Sequence, residues 1–399
     1  MKVFRSAWVL PITAPPIRDG WVSVDKGLIT GLGGDPPAGA RDLGATVVLP
    51  ALVNAHTHLE LSYLRDAVPP ADRFVDWIRL LIGSRRKFPD PQDPVILDAA
   101  RAAIDEARAS GTGLVGDVSN TLVTVPLLRE AGMRARVFHE LLGFDVEDAV
   151  ERVRRARWAV GQQPEESAVQ VSLAPHAPYS VSPALFAAIR EDLDGHPNDV
   201  STVHLSESAD EVEFIAAGTG AWRDVLLELG SWTESWRPPG GSPVQYLANL
   251  GFLDARVLAV HAVQCSRDDL HLLRALGATV VSCPRSNRHV GVGSPPLDLF
   301  YECGVRVAFG TDSLASVSDL NLFAELAAAR QSAPTVLARE LLASGTIHGA
   351  RALGFGDRLG SIERGKEAAL LAVQVPEHVD DVEEYLVGGV VPDAVRWVD

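Results

Sequence analysis

The chain alternates short apolar runs with longer alanine-rich segments eight times between about residues 46 and 360. The runs have the length of β-strands, and the segments between them carry helical periodicity and strong helix formers. Eight such repeats predict an α/β fold, a parallel (β/α)8 barrel of the TIM type, with reactive groups at the carboxyl ends of its strands. The predicted strands are 47–54, 113–117, 136–140, 169–174, 201–205, 257–261, 279–283 and 305–310.

Both ends of the chain read as β-structure rather than as helical repeats. Short strands are predicted at 3–9, 21–24 and 28–32, and strand-like alternation returns at 368–375 and 385–398. Neither end could bury a core alone, so we expect the two to combine. The sequence therefore predicts a small β-sandwich domain from residues 1–48 and 362–399 beside a catalytic barrel from 49–361.

Charge and composition exclude several classes of partner. The 399 residues include 36 Lys and Arg against 52 Asp and Glu, and the net charge of -16 would repel a nucleic acid backbone. No apolar run reaches the length of about 18 residues that a membrane span needs. Three cysteines without metal-ligand spacing suit a reducing compartment, so we expect a cytoplasmic protein with a small-molecule substrate. A homodimer remains possible.

The segment Asn54-Ala55-His56-Thr57-His58 ends the first predicted barrel strand. Residues i and i+2 of a strand project from one face, so both imidazoles can reach one metal ion. An isolated His-x-His is weak evidence, because two polar residues capping a strand would look the same.

Three more strand ends carry groups of the same kind, namely His204, His261 and Asp312. Independent coincidence is improbable for so many matching positions. Three imidazoles and a carboxylate suit Zn²⁺ or Fe²⁺, with one coordination position open for water.

These residues resemble the amidohydrolase superfamily, in its branch of cytosine-deaminase-like and adenine-nucleoside-deaminase-like enzymes, over essentially the whole chain. The resemblance implies His56, His58, His204 and Asp312 as metal ligands, and Glu207 and His261 as proton-handling groups. It also implies a composite β-domain built from both termini. The motifs that carry it are Asn54-Ala55-His56-Thr57-His58-Leu59-Glu60, Ala174-Pro175-His176-Ala177-Pro178-Tyr179-Ser180, His204-Leu205-Ser206-Glu207, His261, Cys283-Pro284-Arg285-Ser286-Asn287 and Gly310-Thr311-Asp312-Ser313.

The fourth predicted strand distinguishes subtypes of this superfamily, because members with two metals bridge them there with a carboxylated lysine. No lysine lies between Lys87 and Lys366. We therefore expect one divalent metal ion per active site, the arrangement associated with deaminases that act on carbon–nitrogen bonds other than peptide bonds.

The expected chemistry is hydrolytic deamination of a heterocycle. A bound divalent cation lowers the pKa of its water toward roughly 7, which provides a hydroxide that attacks an electron-poor ring carbon. Asp312 would accept the proton of that water, and His261 would steer and polarise the nucleophile. Glu207 would protonate the neighbouring ring nitrogen and help ammonia leave. The non-catalytic alternatives are that Glu207 is a solvent-exposed loop residue and that His261 is a hydrogen-bonded histidine of the core.

Residues near the predicted barrel mouth are candidates for substrate contacts. His176 stands between two prolines at the end of the fourth strand and is expected to face the pocket, with a loop-packing histidine as the alternative. The insertion from residue 60 to 93 looks like a lid, with crossover packing as the alternative role for its aromatic residues Phe74 and Trp77. Ser286 and Asn287 are expected to hold the loop after strand seven. The further candidate substrate contacts are Glu60, His139, Glu140 and Ser313.

Two segments, Leu59-Glu60-Leu61-Ser62 and Phe74-Val75-Asp76-Trp77, look most like the aminodeoxyfutalosine deaminases of the alternative menaquinone pathway. That resemblance implies a substrate carrying a benzoate, which Arg85, Arg86 or Arg288 could pair with. On the same scaffold the substrate could instead be S-adenosylhomocysteine, methylthioadenosine, guanine or a triazine, in a deaminase or chlorohydrolase-like reaction, or a cyclic imine. A non-catalytic binding or assembly protein on an inherited barrel is the alternative from another class. Such proteins usually lose ligands, whereas every expected ligand is present here.

Overall fold

A computed structural model describes residues 1–164 and 167–398 of the chain. Strands and helices alternate through its middle, and strands dominate its ends. The strands are β1 Lys2–Arg5, β2 Trp8–Val9, β3 Ile17–Arg18, β4 Trp21–Asp25, β5 Leu28–Gly33, β6 Arg41–Asp42, β7 Thr46–Pro50, β8 Leu52–Thr57, β9 Thr112–Ser119, β10 Arg134–Leu141, β11 Val169–Pro175, β12 Ser201–Leu205, β13 Val257–His261, β14 Thr279–Ser282, β15 Arg306–Phe309, β16 Leu370–Gln374 and β17 Val395–Trp397.

Seven of the α-helices in the described residues begin at a Ser or Asp whose side chain caps the helix, and proline follows the cap in three of these, a combination that favours helix initiation. Short 3₁₀ segments occupy Leu59–Leu64 and Pro392–Ala394, and a π-helical turn occupies Ser344–His348. The α-helices are α1 Phe74–Arg85, α2 Pro94–Ala109, α3 Thr124–Glu130, α4 Ala149–Gly161, α5 Pro183–Gly195, α6 Ala209–Ala217, α7 Ala221–Glu228, α8 Pro243–Asn249, α9 Arg267–Leu276, α10 Pro284–His289, α11 Leu297–Glu302, α12 Leu322–Ser332, α13 Ala338–Ala343, α14 Gly349–Ala352 and α15 Val382–Val387.

Two four-stranded parallel sheets form the barrel, one in the order β11-β10-β9-β8 and the other in the order β12-β13-β14-β15. At one seam the backbone N–H of His204 donates to the carbonyl of His176 at 2.9 Å. At the other seam the N–H of Asp312 donates to the carbonyl of His56 at 3.0 Å. The ring therefore closes, and the predicted (β/α)8 barrel is confirmed.

Strands from both termini build two further sheets, with the orders β5-β4-β1-β6 and β17-β16-β7-β2-β3. A small apolar core lies among them and includes Phe4, Val22, Ile29 and Leu370. The predicted composite β-sandwich is confirmed as a fold. Strand β7 spans the predicted boundary at residue 48 and pairs along its whole length with β16. The domain limits themselves stay predictions.

Two sequence predictions of local structure were wrong. The predicted strand 47–54 is two strands, because the chain leaves the terminal sheet after Pro50 and enters the barrel at Leu52. The segment 385–398 is not continuous strand: it contains helix α15 and only the short strand β17. Asp381 caps α15 by accepting a hydrogen bond from the N–H of Glu384, and acidic residues in its first turn suit the helix dipole. In the described part of the chain, no helix is long and apolar enough to cross a membrane.

Candidate active site

The carboxyl ends of β8 and β15 lie against each other at one end of the barrel. Asn54 joins the two ends, because its side chain donates to Thr311 Oγ1 at 2.7 Å and accepts from the N–H of Thr311 at 3.0 Å. Gly310 permits this approach, since a Cβ there would lie 2.7 Å from the carbonyl oxygen of His56. The strand that carries two histidines is thereby held beside the loop that carries Asp312.

The four predicted metal ligands converge at this point. His58 Nε2 lies 3.6 Å from Asp312 Oδ1, His56 Nε2 lies 3.7 Å from the same oxygen, and His204 Nε2 lies 3.4 Å from His58 Nε2. Donors about 2.0–2.1 Å from a tetrahedral metal ion would stand about 3.3–3.4 Å apart. The spacing of the donor atoms therefore fits one shared cation.

The buried state of these donors supports the same fit. His56 is 1% exposed, and neither of its ring nitrogens has a hydrogen-bond partner within the described residues. Burial lowers the pKa of His58 well below its usual range and that of His204 to about 4, which leaves neutral imidazoles, the form that binds metals. Burial acts to raise the pKa of Asp312, but the close approach of the His56 and His58 imidazoles outweighs it and holds that pKa well below its usual range.

Glu207 and His261 face each other beside this cluster, with Glu207 Oε1 3.5 Å from His261 Nε2. Burial, with the nearby carboxylates of Asp312 and Glu211 adding to it, raises the pKa of Glu207 well above its usual range. Glu211 fixes the loop that carries Glu207, because its carboxylate accepts hydrogen bonds from the N–H groups of Ser206 and Glu207, both at 2.9 Å. A buried acid beside a metal site can exchange a proton with a bound molecule.

The backbone is strained at these same strand ends. Four non-glycine residues adopt positive φ angles: Ser206 at 52°, His261 at 75°, Ala262 at 53° and Asp312 at 64°. Such conformations are uncommon outside glycine and cluster at functional sites, where the surrounding structure maintains them. No feature of the sequence pattern indicated this strain.

Ser286 and Asn287 touch the candidate site directly rather than only holding a loop. Ser286 Oγ donates to Asp312 Oδ2 at 2.7 Å, and the Asn287 side chain lies 2.9 Å from His261 Nδ1. Their helix α10 is anchored by Arg285, which pairs with the fully buried Glu325 at 2.6 Å. The sequence placed both residues in the correct loop but did not reveal these contacts.

His58, His204 and Asp312, with Glu207 and His261, form the floor of a small cavity of about 80 Å³, and His56 is not among the described residues that line it. Among the predicted substrate contacts, His176, Glu140, Ser313 and Arg85 line this inner cavity. Burial, followed by the charge of Arg85, lowers the pKa of His176 to about 4, so its imidazole is neutral. The inner cavity is lined by His58, Leu61, Phe74, Trp77, Ile78, Leu81, Arg85, Asn120, Glu140, His176, Tyr179, His204, Glu207, His261, Val290, Asp312 and Ser313.

A second cavity of about 430 Å³ adjoins the inner one, and Leu61 and Arg85 line both. Arg86 and Glu60 line this outer cavity, together with Tyr63 and Phe88, whose rings meet edge-on at 5.2 Å. The Glu60 carboxylate is already engaged by the loop after β9: it accepts hydrogen bonds from the side chains of Ser119 and Thr121 at 2.7 and 2.8 Å.

Two predicted contacts lie elsewhere. Neither His139 nor Arg288 is among the described residues that line the two cavities. His139 Nδ1 lies 3.4 Å from the carbonyl of Ser119, and its neighbour Glu140 projects from the opposite face of the strand. Arg288 is exposed on α10.

Helix α1 lies over the inner cavity and contributes Phe74 and Trp77 to its wall. Arg79 on α1 makes two hydrogen bonds to Glu228 on α7, at 2.8 and 3.0 Å, and Arg73 pairs with Asp210 on α6 at 2.9 Å. The insertion after β8 therefore covers the barrel mouth, and these ion pairs connect it to the segment after β12.

Sequence reasoning missed Asn120 and Tyr179 as lining residues. Tyr179 stacks on Trp222 with ring centroids 3.7 Å apart, which extends the wall begun by Phe74. Asn120 follows strand β9 directly, and that strand-end position is the only signal that could have singled it out.

Residues 47–391 match the model of the amidohydrolase family. The chain belongs to that family. This amidohydrolase is 30% identical to a 5-methylthioadenosine/S-adenosylhomocysteine deaminase of Moorella thermoacetica, over 96% of this chain and 89% of that protein. It is 32% identical to an aminodeoxyfutalosine deaminase of Deinococcus radiodurans, over 80% of this chain and 76% of that protein. As an amidohydrolase with deaminases among its relatives, it is an enzyme that hydrolyses carbon–nitrogen bonds outside peptides.

A solved structure gives the same result for the fold. The zinc-bound adenosine deaminase of Xanthomonas campestris superposes with a TM-score of 0.83 at 28% identity, covering 98% of this chain and 90% of that one. The amidohydrolase family is metal-dependent, and the donor cluster of this chain lies at the strand ends where such an ion is expected.

Proposed function

We propose that this amidohydrolase is a metal-dependent deaminase of adenine nucleoside derivatives. One observation carries the proposal: the donor atoms of His56, His58, His204 and Asp312 cluster at one end of the barrel, beside a cavity that a buried glutamate and a further histidine also line. The names of its relatives, which are deaminases of adenosine derivatives, support the same substrate class.

His56, His58, His204 and Asp312 would hold one divalent cation, Zn²⁺ or Fe²⁺. Such a cation lowers the pKa of its water toward about 7 and so supplies the nucleophile that attacks the ring carbon at neutral pH. The carboxylate of Asp312 accepts the proton of the attacking water. The hydrogen bond from Ser286 to Asp312 Oδ2 keeps that carboxylate turned toward the floor of the cavity.

Glu207 and His261 act on the substrate and on the nucleophile that attacks it. Glu207 donates a proton to the ring nitrogen beside the attacked carbon and then assists the departure of ammonia, a role typically worth about 10²–10⁴ in rate. His261, held by Asn287, orients the nucleophile. His176 uses Nδ1 in a 2.6 Å hydrogen bond with Ser180, which leaves its Nε2 for the heterocycle.

Among adenosine derivatives, we propose 6-amino-6-deoxyfutalosine as the substrate, in the alternative menaquinone pathway. The outer cavity supports this choice, because Tyr63 and Phe88 provide aromatic walls and Arg85 and Arg86 provide cations for the benzoate of that molecule. The reaction would replace the 6-amino group of the purine with an oxo group. The buried free thiols of the three cysteines support a reducing, cytoplasmic setting.

Methylthioadenosine or S-adenosylhomocysteine is the second candidate substrate. The 30% identity to a deaminase of these compounds extends over 96% of this chain, which is more of it than the aminodeoxyfutalosine deaminase covers. The apolar methylthio group of methylthioadenosine would occupy the outer cavity without using its two arginines, whereas the carboxylate of S-adenosylhomocysteine could pair with them.

A substrate panel tests the proposal. Purified enzyme is incubated with aminodeoxyfutalosine, methylthioadenosine, S-adenosylhomocysteine, adenosine, guanine and a triazine, and ammonia release and the ultraviolet change are followed. We expect the highest kcat/KM for aminodeoxyfutalosine. Turnover of guanine or the triazine alone would contradict the substrate class, and a highest value for methylthioadenosine would favour the second candidate.

A further inference from the structure

Glu140 lines the inner cavity, and one of its carboxylate oxygens accepts no hydrogen bond from a described residue. Its side chain is 5% exposed, and Oε2 accepts a hydrogen bond from Asn120 Nδ2 at 2.8 Å. Oε1 lies 3.6 Å from His204 Nδ1, but that nitrogen is 2.9 Å from the carbonyl of His176 and is used there. No described residue donates a hydrogen bond to Oε1, so this oxygen is available to a hydrogen-bond donor on a bound molecule.

Asn120 holds Glu140 in this position. Its Oδ1 accepts a hydrogen bond from Arg85 at 3.1 Å, and its Nδ2 donates to both the side chain and the backbone carbonyl of Glu140. The N–H of Asn120 in turn donates to Glu60 Oε1 at 3.0 Å. Because both ends of the amide are used, Glu140 cannot turn away from the cavity without losing a hydrogen bond.

The location of Glu140 indicates which part of a nucleoside it meets. Glu207 and His261 occupy one side of the metal cluster, at the reacting end, whereas Glu140 lies beside Nδ1 of His204, the ring nitrogen directed away from His58. Arg85, a neighbour of Asn120, borders the outer cavity. A nucleoside with its base at Glu207 and its 5′ substituent in the outer cavity would place its pentose between them, near Glu140.

We propose that Glu140, positioned by Asn120, binds the vicinal hydroxyls of the pentose and selects ribonucleosides over deoxyribonucleosides. This inference rests on the proposed function. Hydroxyl groups are the donors a pentose offers, and carboxylates accept hydrogen bonds from ribose hydroxyls in other nucleotide-binding sites. Glu140 is a specificity-determining residue in this account, while Asn120 is a positioning residue.

The test compares adenosine with 2′,3′-dideoxyadenosine as substrates of wild-type enzyme and of Glu140→Gln. Loss of a hydrogen bond to a charged group typically lowers kcat/KM roughly 10- to 100-fold. The kcat/KM of the wild-type enzyme should therefore be lower by about that factor for the dideoxy compound than for adenosine. Glu140→Gln should lose a similar factor with adenosine, discriminate little between the two substrates, and keep its metal content. Equal discrimination by wild type and Glu140→Gln would overturn the inference.

Glu60→Gln is the matched control, because it alters the same hydrogen-bonded loop without lining the inner cavity. Glu60→Gln should change kcat/KM for both substrates by the same factor, so that the preference for adenosine over the dideoxy compound is kept. If this variant also lost the preference, the effect would belong to the loop and the role of Glu140 would be overturned.

Calorimetric binding of inosine and 2′,3′-dideoxyinosine separates this inference from the proposed function. A wild-type protein that deaminates no adenine nucleoside contradicts the proposed function, while a preference for inosine that disappears in Glu140→Gln still supports the pentose contact.

Discussion

The floor and the rim of the cavity are built in different ways. On the floor, the candidate ligands lie at or just beyond the carboxyl ends of barrel strands, and their side chains are 1–13% exposed. On the rim, Arg79 and Arg85 come from the insertion between β8 and β9 and are 37% and 38% exposed. The barrel frame therefore sets the chemistry, whereas connecting segments set what can enter and how its far end is held. Substitutions on the floor should abolish or slow turnover of every substrate, and those on the rim should act on selected substrates.

The largest effect is expected from Glu207→Gln on the floor. The amide retains the shape of the side chain but removes its exchangeable proton, so kcat should fall about 10²- to 10⁴-fold while metal content is unchanged. Steady-state assays and elemental analysis of the same preparation measure both quantities. Normal turnover in this variant would remove Glu207 from the mechanism.

Asn287→Ala should have the next largest effect. Asn287 contacts His261 rather than the cavity, so its loss should lower kcat for all substrates. Removing a side chain that orients a site residue typically lowers activity about 10- to 100-fold, and we expect a fall of that size here. Metal content and KM should change little. A variant that raised KM with normal kcat would instead place Asn287 in substrate binding.

Arg86→Gln is the corresponding change on the rim. If the outer cavity binds a carboxylate, kcat/KM for aminodeoxyfutalosine should fall about 10-fold, while methylthioadenosine is turned over as before. Arg288→Gln is the control, because Arg288 is exposed and lines neither cavity. An equal loss with both substrates would show that Arg86 does not distinguish their tails.

The smallest effect is expected from Arg79→Gln, which breaks the ion pair between α1 and Glu228. An exposed ion pair contributes at most about 1 kcal/mol to stability. KM should therefore rise no more than about fivefold, and kcat should stay unchanged. Glu228→Gln should give the same result. A large fall in kcat in either variant would mean that the rim takes part in the chemistry.

The same contrast explains which features could be predicted from the sequence. His56 and His58 are two residues apart at the end of one strand, and His204 and Asp312 stand at the ends of two others. These positions suffice to predict that the four side chains lie close together. The break at Ala51 was overlooked because both β7 and β8 are buried throughout, although Pro50 at the end of β7 marks it in the sequence. The predicted strand 385–398 overlooked helix α15, whose first turn contains Glu383 and Glu384. The strand-end position of Asn120 could have marked the residue but not its role, because that role depends on Arg85, 35 positions away in sequence.

The central claim is that one cation binds where these four side chains meet, at the ends of β8, β12 and β15, and anomalous X-ray scattering at the zinc and iron absorption edges tests it most directly. The account predicts a single ion with His56, His58, His204 and Asp312 at about 2.0–2.2 Å, and loss of that ion in His56→Ala. A catalytically active crystal with its only ion held by other residues, or a His56→Ala protein with full metal content, would contradict it.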